Sequence, residues 1–71
     1  MLFELKADVS VRTLSGSFVT VEAGHKVNYS SHKRLDGYWV HKFSALVRVG
    51  RTVEIVDHIA VCQGEERPEW L

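Results

Sequence analysis

Two histidines and one carboxylate, His25, His41 and Asp57, interrupt rows of apolar residues that alternate along this 71-residue chain. A carboxylate bonded to an imidazole orients that ring as a general base, so a His–Asp contact among these three is the arrangement best suited to move a proton. Such chemistry also needs a nucleophile or a metal, and a pocket. The chain carries no glycine-rich phosphate loop and no nucleophile elbow, and its length leaves little room for a pocket of the usual size. The expectation is a protein that is not an enzyme and holds no cofactor, and two structural readings of Asp57 come ahead of catalysis.

In the first, Asp57 lies in the dry row of VEIVDHIAV, residues 53 to 61, between Val53, Ile55, Ile59 and Val61. A buried carboxylate there is tolerable only if a histidine bonds it, so His25, His41 and Asp57 would form a buried polar cluster. In the second, which is preferred, the strand bulges or breaks at Asp57-His58. Parity then flips, and Val56, Ala60 and Cys62 take over the inner face.

Four histidines and a single cysteine also raise the question of a metal. His58 and Cys62 are four residues apart, about 13 Å along a strand. The spacing of His25, His32 and His41 matches no compact zinc pattern either. No metal site is expected.

Formal net charge is zero, but it is the sum of unlike parts. Residues 1 to 24 carry two cations and three carboxylates, a balance of −1; residues 25 to 51 carry six cations and Asp36, a balance of +5; residues 52 to 71 carry Arg67 and five carboxylates, a balance of −4. A basic middle of this kind suits an anionic partner. If the strands ending at Ser30 and starting at Tyr38 are antiparallel neighbours, Lys26, Asn28, Tyr38, Lys42 and Arg48 share a wet face, with Lys33 and Arg34 on the connecting loop. Cations with an exposed ring and an amide are what a single-stranded nucleic acid requires, because charge tracks phosphates and rings stack on bases. Nucleic-acid binding is therefore the first expectation for function.

The competing expectation is a protein-interaction or regulatory module, an inhibitor for example, that acts through an exposed strand edge or through the acidic tail. That tail, residues 65–71, ends in Trp70 and Leu71, which would dock on a partner, cover the protein's own sheet or reach a sister subunit.

The elements that would position these residues are strands. From Phe3 to Thr13 the odd positions are mostly apolar and the even ones polar, and the run from Phe18 to Ser30 keeps that parity around Gly24. Ser15-Gly16, Asp36-Gly37 and Gly50-Arg51 read as turns. Residues 38 to 49 have five apolar residues in six odd positions, which predicts a strand, with a short helix over 39–47 as the alternative. Residues 52 to 62 complete a set of four long antiparallel strands.

The predicted fold is all-β: one domain over residues 1–64, a meander curled into a small barrel or a strongly coiled sheet. A flat sheet is disfavoured because an eleven-residue strand spans about 36 Å, and a chain this short buries only about 60% of its surface. A second subunit would supply what is missing, so a homodimer is expected. One cysteine excludes an internal disulfide, charges at Glu4, Lys6 and Asp8 interrupt any signal-like apolar run, and no stretch approaches a membrane span. A cytoplasmic protein without membrane contact is the expectation.

Overall fold

The first two alternating runs form one antiparallel ribbon folded across its middle, in a computed structural model that describes residues 1–71. The ribbon contains β1 (Leu2–Glu4), β2 (Val9–Arg12), β3 (Phe18–Val21) and β4 (Lys26–Lys33). Each predicted long strand is thus two shorter ones, separated by residues 5–8 on one side and 22–25 on the other. Glu4 faces Lys26 and Val9 faces Val21, so the same register runs through both halves and the corner adds no residue to either side. Backbone bonds bridge it from Leu5 N–H to the His25 carbonyl (3.0 Å) and from Gly24 N–H to the Leu5 carbonyl (2.7 Å). The Asp8 carboxylate accepts the Ala23 N–H at 2.8 Å. Folding the ribbon solves the length problem: its outer half becomes a cover for its own sheet.

Beyond the ribbon run two twelve-residue strands, β5 (Tyr38–Val49) and β6 (Thr52–Gln63). The predicted strand over residues 38 to 49 is the one that forms, and no helix occurs anywhere in the chain, let alone one able to cross a membrane. The structure is all-β and antiparallel, with a four-stranded sheet in the order β1-β4-β5-β6 and a two-stranded sheet β2-β3. They do not close into a barrel.

The inner face of the larger sheet carries Val27, Phe43, Ala45, Val47 and Val56, which pack against Leu5, Val9, Val11 and Val21 of the folded ribbon. At the opposite end the cover is Trp70. Its ring meets Phe43 edge-on at 4.9 Å and lies about equally far from Tyr29 (6.0 Å) and His58 (6.1 Å). The Trp70 carbonyl accepts the Lys6 N–H at 2.9 Å, which ties the C-terminus to the corner. Of the three places open to it, Trp70 takes the protein's own core, where it is only 4% exposed and Leu71 packs against that core; it does not reach out to a partner.

The turns decide which face of each strand is dry. Gly16 and Gly37 (φ near +90°) each end a three-residue loop, with N–H bonds to the Thr13 and Arg34 carbonyls at 3.0 Å, the usual type I turn followed by a left-handed residue. Three intervening residues pair odd with odd, as in Lys33 with Trp39. The β5–β6 connection is the two-residue Gly50-Arg51 with Gly50 at φ +59°, and it pairs Val49 with Thr52. Two residues pair odd with even. The parity carried over from β5 therefore inverts in β6.

This overturns the buried cluster, and it keeps the inner face of the preferred reading while removing the bulge that was to produce it. The β5–β6 ladder runs from Thr52 to Gln63 without a bulge, and every even residue of β6 faces inward. Val56, Ala60 and Cys62 do take the inner face, but along the whole strand and because of the turn. Asp57 is exposed, on the opposite side of the sheet from His41, and His25 sits in the corner. The three do not form a cluster.

Candidate functional site

Since the even residues of β6 face the core, the odd ones form its outer face: Val53, Ile55, Asp57, Ile59 and Val61. The four aliphatic members are 50–60% exposed, and Leu46, which faces Ile55 from β5, is 62% exposed. Isolated apolar residues at a surface need no explanation, but five on one face of a single hairpin do. β6 is also the last strand of its sheet, so alternate backbone N–H and C=O groups along it have no partner strand. The other edge, β1, is only three residues long. An apolar face beside a long open edge is suited to receiving another polypeptide.

The predicted basic residues are placed on this same outer face, toward β4. Register puts Lys26, Asn28 and Ser30 in line with Leu46, Ser44 and Lys42, and Tyr38 lies at the far end. Their charge is locally offset. Glu4 faces Lys26 directly, and Asp57 is the diagonal neighbour of Lys42, which pairs with Ile59. Arg48, opposite Val53, is remote from both lysines.

Lys33 pairs with Trp39 and so has the inner parity at the end of its strand. Arg34 is engaged within its own turn, in an ion pair with Asp36 at 2.7 Å and over the Tyr38 ring at 5.9 Å. The Asn28 side-chain oxygen accepts from the N-terminal ammonium at 3.4 Å. The structure thus brings Lys26, Asn28, Tyr38 and Lys42 to one face, with Arg48 on that face but remote from both lysines, and leaves Lys33 and Arg34 outside it.

On the inner side an open cleft of about 690 Å³ lies between the sheet and residues 64–67, with Tyr29, Trp39 and His41 along its floor. The length of the chain had argued against a cleft of this size. The Tyr29 hydroxyl and His41 Nδ1 are 2.7 Å apart, and their rings are nearly parallel. Burial pushes the His41 pKa below the usual histidine value, and the nearby Arg67 guanidinium pushes it further. Burial does the same for His58, whose ring lies 5.4 Å from Phe43. Both environments favour the neutral imidazole over the charged one. A neutral histidine bonded to a tyrosine could accept a proton, but no group of three or more His, Cys, Asp or Glu side chains is placed to hold a metal.

The residues whose side the sequence left unsettled are Val53, Ile55, Ile59 and Val61, placed in the dry row by alternation and displaced from it only if the strand bulged at Asp57-His58. The signal that relocates them is the length of the turn before them. Comparison with protein-family profiles, with curated proteins and with solved structures finds no match to this chain.

Proposed function

We propose that this chain is a non-enzymatic protein-docking module that presents the outer face of the β5–β6 hairpin. One observation carries the reading: five aliphatic side chains with half or more of each in solvent lie on one face in two groups, Leu46, Val53 and Ile55 on one side of Asp57 and Ile59 and Val61 on the other. Removing such groups from water yields roughly 25 cal/mol per Å², and aliphatic side chains fit another protein better than a nucleic acid, whose bases call for aromatic stacking. A reducing, cytoplasmic setting suits the single free thiol, Cys62.

A second reading keeps nucleic acid as the ligand. Lys26, Asn28, Lys42 and Tyr38 do share the outer face. Against it, both lysines have carboxylate neighbours, and the outer-face tyrosine ring already carries Arg34.

Retention from source-cell lysate on the immobilised chain separates the two. Docking predicts a protein retained after nuclease treatment, lost with Ile59→Glu and kept with Lys26→Glu. Retention that nuclease abolishes, and that Lys26→Glu but not Ile59→Glu weakens, would replace docking with nucleic-acid binding.

A further inference from the structure

Building on the docking reading, we infer that the occupant of the outer face is a second copy of this chain, stacked on it about a two-fold axis that passes Asp57. The spacing on the face is symmetric about that residue: Val53 and Ile55 precede it at the same intervals at which Val61 and Ile59 follow it. A two-fold axis across the strand at Asp57 sets Ile55 against Ile59 of the second copy and Val53 against its Val61. Each row then meets its own mirror order, as an isologous interface requires. The symmetry does not depend on any other protein being present.

Three further observations favour self-association over a foreign partner. The chain has zero formal net charge, so two copies meet without long-range repulsion. The outer face carries both signs, with Lys42 and Arg48 beside the row and Asp57 within it, so it can complement itself.

The third observation is burial. Only 13 of 71 residues are buried, and in the twelve-residue β6 Val56 alone is, as expected of a chain short enough to need a second subunit for its stability. The five aliphatic side chains, each half or more in solvent, would form the apolar centre of a face that contributes about 800 Å² per partner in a standard interface. Sheets stacked about 10 Å apart would cover the row.

The axis makes a specific demand on Asp57. Two copies of its carboxylate approach each other there, and like charges partly removed from water oppose association. The facing charged groups are Lys42 on the neighbouring strand of each copy and, farther along the face, Arg48 and Glu4. Asp57 therefore limits the dimer's affinity, and Asp57→Asn tightens it.

The test is sedimentation equilibrium between about 1 and 100 μM, the range in which a micromolar dimer titrates. Circular dichroism confirms that each variant is folded. The wild type should pass from the mass of one chain to two, Ile59→Glu should remain at one, and Asp57→Asn should reach two at a concentration about tenfold lower. In a Cys62→Ser background, Asp57→Cys should cross-link to itself with a short bis-maleimide that spans the roughly 10 Å between stacked sheets, whereas Lys26→Cys, on the same face but away from the axis, should not.

A wild type that stays at one chain throughout overturns the inference. So does a dimer indifferent to both Ile59→Glu and Asp57→Asn. A monomer that still retains a lysate protein lost with Ile59→Glu removes only the second copy as occupant. A monomer that retains nothing removes the docking reading as well.

Discussion

The folded ribbon of residues 1–33 and the β5–β6 hairpin are made from the same kind of alternating sequence, yet they use their apolar residues in opposite ways. In the ribbon, three-residue loops keep odd positions together, and Val9, Val11, Val21 and Val27 all reach the core. In the hairpin, the two-residue turn inverts the parity, so β5 buries Phe43, Ala45 and Val47 while β6 sends four of its five valines and isoleucines outward. What β6 turns inward is smaller or more polar: Glu54, Val56, His58, Ala60 and Cys62. Alternation tells which residues share a face; the turn tells which face is dry.

The sharpest way to break that contrast is to remove what the inner face holds. Phe43→Ala and Trp70→Ala should each cost about 3–5 kcal/mol in denaturant melts, because both rings are enclosed and each forms part of the other's packing. If Trp70→Ala melts like the wild type, the C-terminus is not part of the core.

Adjacent residues on β6 give the next largest difference. Val56→Ala should cost about 2 kcal/mol, whereas Ile55→Ala, measured at a concentration where the chain is monomeric, should stay within about 0.5–1 kcal/mol of the wild type. Equal losses would mean that the two faces are not distinct.

The turn itself can be probed at Gly50. Its φ of +59° lies in the left-handed region, so Gly50→Ala should cost about 1 kcal/mol, whereas a substitution at Arg51, which has no positive φ, should have little effect. Comparable melts for both would count against this turn geometry.

The smallest expected effect is on pH dependence. His41 and His58 both have pKa values lowered from 6.5, so below that pH the unfolded chain binds protons that the folded chain does not. Stability is therefore complete above about pH 6.5 and falls as pH drops through that value toward the depressed folded ones. His58→Phe, which keeps an aromatic ring against Phe43 and Trp70, should flatten the decline, as thermal melts at neutral and mildly acid pH would show.

Much of the fold was legible in the residues. The three turns lie where Ser15-Gly16, Asp36-Gly37 and Gly50-Arg51 place them, and the alternating runs become strands. The corner was half visible: Gly24 marks one side, but nothing in Leu5-Lys6-Ala7-Asp8 separates a corner from a continuing strand, since the alternation runs straight through it.

Trp70 read as tail because its neighbours Glu65, Glu66, Arg67 and Glu69 are charged, and only the fold shows an uncovered end of the sheet waiting for a ring. For the candidate site, the lysines of the outer face were legible from period two, but the side taken by the aliphatic row was made to hang on a bulge at Asp57-His58 that the strand does not have. Both faces of β6 contain apolar residues, so composition could not choose between them. One residue of turn length did.

The central claim is that β6 turns Val53, Ile55, Ile59 and Val61 outward and Val56 and Ala60 inward. It is tested most directly by thiol labelling of single cysteines placed along β6 in a Cys62→Ser background, at a dilution where the chain is monomeric. Ile55→Cys and Ile59→Cys should react with a maleimide nearly as fast as in the unfolded chain, and Val56→Cys and Ala60→Cys much more slowly. The reverse order, or equal rates at all four positions, would contradict the account.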